Sequence, residues 1–238
     1  MTDRFDLVLA AGRDLAARVD ATLVADGVPP GHRVIGLLRA VGVLPGDAVG
    51  YVAGLDPAAL AGPGAAVRVA ADRYADLAVD LDATVSAGDW RGPAGAAFTG
   101  SWQTLSGYLG GQDRVGMTGR VVAMAGYLDA VAAWMRATRA AMAGTIAGAL
   151  GSTEAVALRQ PWVGQLGTGQ FGTGWPWAGQ FGAGQPVTGR SGGPGGPGPG
   201  PGRGLARGTA AAEIGAALLA TVDTAVTAGH DLNRRWSA

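Results

Sequence analysis

The stretch VRVAADRYADLAVDLDATVSAGDWRGPAGAAFTGSWQTLSGYL, from Val67 to Leu109, decides the fold. Val67, Ala70, Tyr74, Leu77, Leu81 and Thr84 recur at alternating steps of three and four. That spacing keeps one stripe of a helix turned towards a neighbouring helix. Arg68, Asp72, Arg73, Asp76, Asp80 and Asp82 fall mostly off the stripe and can stay in water. Gly88 stops the helix, since glycine accepts positive φ. Asp89-Trp90-Arg91-Gly92-Pro93 follows, and Gly92-Pro93 suits the first turn of a new helix, where proline's missing N–H costs nothing. The stripe resumes as Ala94, Phe98, Ser101 or Trp102, Leu105 and Tyr108 or Leu109. Two stripes separated by so short a break can face each other only if their helices run antiparallel. The reading is a helical hairpin with Val67, Tyr74, Leu77, Leu81, Trp102 and Leu105 as its seam, more a core within the chain than a partner interface.

Upstream, Asp56 before Pro57 has the form of a helix start, an N-cap followed by proline at the first helical position. Phe5, Val8, Leu15, Val19 and Leu23 predict a first helix, which Gly27-Val28-Pro29-Pro30-Gly31 ends. Val34, Leu37, Leu38 and Val41 predict a second. Downstream, the apolar pattern runs from Val115 through Val121, Met124, Leu128, Val131, Met135 and Met142 to Ile146. As one rod, residues 93–150 would extend about 85 Å at about 1.5 Å per residue. The hairpin's first arm is too short to cover that, so we expect a break or kink at Gly110-Gly111.

Beyond Gln160 the periodicity vanishes. More than half of residues 161–204 are Gly or Pro, without the every-third glycine of collagen, which reads as a flexible linker. Gln165-Leu166-Gly167, Gln170-Phe171-Gly172 and Gln180-Phe181-Gly182 form an imperfect repeat accompanied by Trp162, Trp175 and Trp177. It is either drifted low-complexity sequence or a sticky aromatic segment. Ile214, Leu218, Val222 and Val226, four apart, mark a last helix whose narrow stripe suits docking. Glu213 and Asp223 argue against that helix spanning a membrane, and no apolar run of about 18 residues is evident to cross one. The expected organisation is all-α: N-terminal helices over 1–50, a helical hairpin or bundle over 56–150, a Gly/Pro/aromatic linker over 160–208 and an amphipathic helix over 209–236.

Eighteen basic and eighteen acidic side chains cancel. A chain holding many phosphates carries a basic footprint, so nucleic acid is not expected as a partner. Every basic residue is Arg and only two acidic ones are Glu; Cys is absent, so neither disulfides nor thiolate chemistry can occur. The N-terminus lacks the basic region and long apolar core of a signal peptide. The two histidines, His32 and His230, have no metal-ligand pattern around them and read as solvated surface residues. Asp80 and Asp82 are two apart and so not on one helix face. The glycine runs contain no Gly-Lys-Ser/Thr phosphate loop. We expect no enzyme, no metal and no cofactor.

Trp90-Arg91-Gly92, set between two striped helices and followed by Ala97-Phe98, resembles the WxG family of actinobacterial type VII (ESX) secretion. Ala66-Val67-Arg68-Val69-Ala70-Ala71-Asp72-Arg73-Tyr74 resembles first helices of such proteins. The resemblance covers residues 56–142. It implies a small helical hairpin that pairs into a four-helix bundle with another WxG protein or with itself. It also implies export by the type VII machinery to the envelope or the medium, with Trp90, Gly92 and Phe98 in the turn that meets the partner. Gly92 would then allow a close backbone approach, and Trp90 would cap the bundle end or enter a partner's groove. One feature departs from the family. Its export signal is a Tyr with an acidic residue four positions later, but Tyr51, Tyr74, Tyr108 and Tyr127 are followed there by Leu55, Ala78, Gln112 and Val131. The rival expectations are a scaffold that stays in the cell and a membrane-active, pore-forming protein.

Overall fold

The protein, seen in a computed structural model, is described over residues 3–86, 88, 91–111, 113, 115–159 and 201–237, with backbone alone for 201–205. All regular structure among these residues is helical: α1 (Arg4–Asp26), α2 (Val34–Val41), α3 (Pro45–Ala53), α4 (Ala61–Ser86), α5 (Gly92–Gly110), α6 (Met117–Leu150), α7 (Thr153–Arg159) and α8 (Pro201–Ser237), with one 3₁₀ turn at Pro57–Leu60. The all-α expectation holds. Some details differ. A third N-terminal helix, α3, was not read from the sequence; it starts with Pro45 at its first position. The last helix begins at Pro201, eight residues before the expected 209. The aromatic repeats, including Trp162, Phe171, Trp175, Trp177 and Phe181, lie outside the described residues.

The core does not sit in the predicted hairpin. It is built from α1 (Phe5, Leu15, Ala16, Val19, Leu23), α3 (Ala48, Val49, Val52), the second half of α6 (Met142, Ala143, Ile146, Ala149) and α8 (Ala211, Ala212, Ile214, Ala216, Leu218, Leu219), with Val34 of α2 and Ala155 and Leu158 of α7. None of its members belongs to α4 or α5. Helix α1 lies so close to α6 that a Cβ on Gly12 would fall 2.7 Å from Ile146 Cδ1. Helix α8 runs back along α6: the Trp134 indole N–H donates to Ala225 O at 2.9 Å, and Tyr127 meets Trp236 edge-on with centroids 5.9 Å apart.

Helix α8 corrects the expectation about membrane spans. Ala206–Ser237 is long and apolar enough to cross a bilayer by length and composition. Here its apolarity has a packing reason, because several of its neighbours bury it on more than one side. Its Glu213 is exposed and serves as a surface clamp. Arg33 Nη2 donates to Glu213 Oε2 at 2.9 Å and His32 Nε2 lies 3.3 Å from Oε1. Arg33, with His32 second, holds the Glu213 carboxyl below its ordinary value. His32 is thus a half-buried joint between α2 and α8 rather than a solvated residue, its Nδ1 accepting from the Val34 N–H at 3.2 Å. His230 is exposed, as expected.

Two polar contacts fix the N-terminal helices. Asp3 is the N-cap of α1 in a reciprocal capping box with Asp6. Arg139, almost wholly buried on α6, grips that cap: its Nε donates to Asp3 Oδ2 at 2.6 Å and its Nη2 to Asp6 Oδ1 at 2.5 Å. Its Nη1 donates to the Leu55 carbonyl at 3.1 Å, beyond the end of α3, and its Cζ stands 4.9 Å from the Phe5 ring centroid. The Arg139 guanidinium holds the Asp3 carboxyl down at about 2. Elsewhere Asp20 of α1 caps α3 from outside, accepting from the Gly46 N–H at 3.0 Å. Burial pushes the Asp20 carboxyl up to about 6 against that hydrogen bond, and the charge of Asp47 adds to the rise.

These two carboxyls act on stability in opposite directions. Asp20, raised in the folded state, takes up a proton on the native side first, so its contribution becomes more favourable as pH falls from about 7 towards about 4. Asp3, lowered in the folded state, contributes stability above its unfolded value of about 4 that is lost as pH falls towards about 2. The melting temperature should therefore rise by a few degrees on acidification from pH 7 to pH 5 and drop below pH 4. Asp20→Asn should abolish the rise and leave the acid drop. A profile that is flat between pH 7 and 5 in the parent chain would show that Asp20 is not held as described.

Candidate interaction surface

Helix α4 is the arm that the rest of the molecule leaves half covered. Its C-terminal part faces α5, where Trp102 Nε1 donates to Asp82 Oδ1 at 3.0 Å and a Cβ on Gly110 would fall 3.3 Å from the Ala78 methyl. Its N-terminal part faces α6, where Arg68 pairs with Asp129. The antiparallel α4–α5 hairpin therefore exists, and the break at Gly110-Gly111 exists with it. Helix α6 does not fold back there; it carries on past α5 along α4. Gly111 and Gly116 cross so closely that a Cβ on Gly116 would run into the Gly111 backbone. The Thr118 hydroxyl donating to Leu109 O at 2.8 Å and Gly116 N–H donating to Asp113 Oδ1 at 2.9 Å close the joint.

The seam predicted for this hairpin is corrected. The residues of α4 that are buried are Gly64, Ala71 and Ala78, seven apart, and α6 buries Thr118, Ala125 and Ala132 at the same spacing. At about 100° per residue that stripe lies about 60° round the helix from Val67, Tyr74 and Leu81. Val67, Tyr74, Leu81 and Trp102 are half-buried flanks. Leu77 and Leu105 stay 47% and 49% exposed, and Phe98 is exposed as well. The physical reason is size. Small side chains let two helix axes approach closely, and the larger apolar ones are then displaced to the margins. Periodicity in large apolar residues marks those margins.

Trp90 lies outside the described residues. Gly92 is described, and it corrects the reason given for a glycine there. It sits at φ +79°, and an added Cβ would meet nothing within 4 Å. Glycine is needed for backbone conformation, not for close approach.

Turned away from α6, Ala66, Ala70, Arg73, Leu77, Asp80 and Thr84 form a second stripe with steps of four and three. Ala66, Val69, Ala70, Arg73, Tyr74 and Leu77 line a shallow open groove along it. All but the half-buried Ala70 and Tyr74 are exposed. Helix α5 carries no charged residue and leaves Phe98, Leu105 and Tyr108 on the same arm in water. A second open cleft lies between α6 and α8, lined by Met124, Tyr127, Asn233 and Trp236 among others. Among the described residues no three His, Asp or Glu side chains are grouped to hold a metal ion. The letters of a nucleophile elbow do occur once, Gly189-Arg190-Ser191-Gly192-Gly193, outside the described residues. Pro194-Gly195-Gly196-Pro197 follows them, where that motif needs a helix.

Comparison with family models, curated proteins and solved structures returns no match.

Proposed function

We propose that the protein works by pairing its α4–α5 arm with another helical polypeptide, as a substrate or substrate-associated partner of a type VII secretion system. The observation behind this reading is the arm itself: a helical hairpin outside the core that leaves Leu77, Phe98, Leu105 and Tyr108 exposed, with the sequence Trp90-Arg91-Gly92 between its two helices. An arm that adds nothing to its own core and keeps an apolar stripe in water is built to be covered. The absent Tyr-plus-acidic export signal fits the same reading, since a partner bound along the arm can carry it.

The test is fractionation of culture filtrate and cell pellet in the native strain and in one lacking the type VII ATPase. Protein in the filtrate that disappears without the ATPase is the expected result; retention in both pellets, with a clean lysis control, overturns the export reading. Trp90→Ala should leave far-UV helicity intact and cut secretion several-fold. Loss of helix on that change would mean that Trp90 belongs to the molecule's own packing. A membrane-active role is the second reading, favoured by the apolarity of α8. Leakage of dye from anionic liposomes at neutral pH would establish it, and α8's place in the core argues against it.

A further inference from the structure

We infer that α3 is a latch at the root of the α4–α5 arm, able to open apart from the rest of the core and held shut more firmly when Asp20 takes up a proton. The inference concerns how the arm is mounted and is independent of what the arm binds. Helix α3 is fastened at each end by a charged side chain from another helix. At its N-terminus Asp20 of α1 accepts the Gly46 N–H with both carboxylate oxygens, at 3.0 and 3.3 Å. At its C-terminus Arg139 of α6 donates to the Ala53 and Leu55 carbonyls. An anion at the N–H end and a cation at the C=O end are the signs that a helix dipole favours. Between these fastenings α3 buries only Pro45, Ala48, Val49 and Val52. Helices α1, α6 and α8 also pack directly on one another, so α3 can leave its seat without parting them. Beyond Ala53 the chain runs through Leu55 and the Asp56 N-cap into the 3₁₀ turn and α4. Release of α3 therefore takes the Leu55 carbonyl from Arg139 and loosens the foot of the arm.

Asp20 is the fastening that answers to pH. One N–H serves both of its oxygens, and a Cβ on Gly46 would run into Oδ2, so the carboxyl is pressed against the helix end. Next to it Pro45 lies against α8, where a Cβ on Gly215 would fall 3.2 Å from Pro45 Cγ. The charges around the joint give Asp20 no cation. Asp47 of α3 faces it with a like charge. On its own helix Arg18 pairs with Asp14. Helix α8 turns Glu213 towards Arg33 and His32, and α6 has its Arg139 at the other end of α3. Burial then sets the Asp20 carboxyl at about 6, with Asp47 adding to the rise and the Gly46 N–H opposing it. An open α3 returns it to water and to its ordinary value near about 4. The closed latch thus binds the proton more tightly than the open one. Closure is firmest below about pH 4 and weakens as pH rises through about 6.

The experiment is amide hydrogen exchange on the full chain between pH 7 and pH 5, each amide being referred to its intrinsic rate at that pH. At pH 7 the amides of residues 48–54 should be at least about tenfold less protected than those of Ile214 to Leu219 in α8, because they open without global unfolding. From pH 7 to pH 5 their protection should rise roughly five- to tenfold. The Leu55, Ala58 and Ala59 amides, which are hydrogen-bonded at the foot of the arm, should share that rise. Asp20→Asn should abolish it while leaving α3 helical. Where that variant fails to fold, Asp47→Asn on the exposed side of α3 decides instead: removing the like charge should move the midpoint of the rise to lower pH. Amides of α3 that exchange in step with α8 at pH 7 would overturn the separate opening. A rise that persists in Asp20→Asn, or a midpoint unmoved in Asp47→Asn, would overturn the role of Asp20. A rise that stops at Gly54 would overturn the link to the arm.

Discussion

Arg139→Ala should lower the free energy of unfolding by about 3 kcal/mol, the order expected when one partner of a buried ion pair is removed. Arg139 is 8% exposed and its hydrogen bonds go to two separate pieces of chain: the Asp3 cap and Asp6 at the start of α1, and the carbonyls of Ala53 and Leu55 at the end of α3. Removing it leaves two carboxylates side by side at the start of α1 and takes a donor from the Ala53 and Leu55 carbonyls at the end of α3. The acidic side chains are partly open to water, which holds the loss near the lower end of what buried pairs show. Arg139→Lys should recover little, because a single ammonium cannot reach both carboxylates and the Leu55 carbonyl in the fork geometry. Urea unfolding followed by far-UV circular dichroism measures this. A loss under about 1 kcal/mol would mean that the clasp is an incidental surface pairing.

A chain cut after Arg159 should lose cooperative folding altogether. Helix α8 contributes Ile214, Leu218 and Leu219 to the core, all under 5% exposed, with a run of buried alanines around them. Truncating one large core side chain costs about 2–5 kcal/mol. Three such losses together match the roughly 5–15 kcal/mol that holds an ordinary domain folded. The shortened chain should keep helical signal from α4 to α6, bind a hydrophobic dye and melt without a sigmoidal transition. A sharp transition in the shortened chain would show instead that the 56–150 segment folds as a unit without α8.

The break at Gly110-Gly111, the turn around Gly92 and the helical character of every described segment follow from local chemistry: glycines and prolines at the punctuation points, and three-to-four spacing between them. Helix α3 was missed because Pro45-Gly46-Asp47-Ala48-Val49-Gly50 carries two glycines and few large residues. What makes it helical is its docking: Ala48, Val49 and Val52 are buried, and Asp20 from another helix caps its start. Arg139 gave no signal either. One arginine among many in an Ala-rich helix becomes a clasp only when Asp3 and Leu55 arrive from elsewhere in the chain.

The arm that holds the candidate surface was legible as a hairpin but not as an exposed one. Its apolar stripe looks the same in sequence whether the molecule's own helices or a second chain covers it. By itself the sequence determined that the described segments are helical and where those helices break, because amphipathic spacing and helix punctuation are properties of neighbouring residues; the positive φ that requires glycine at 92 came from the structure. Only the tertiary structure decided which stripes are buried. Helices α1, α3, α6 and α8 close on one another through long-range contacts between large side chains. Helix α4 buries only Gly64, Ala71 and Ala78, the last of them beside Gly110 of α5, and leaves Leu77 in water.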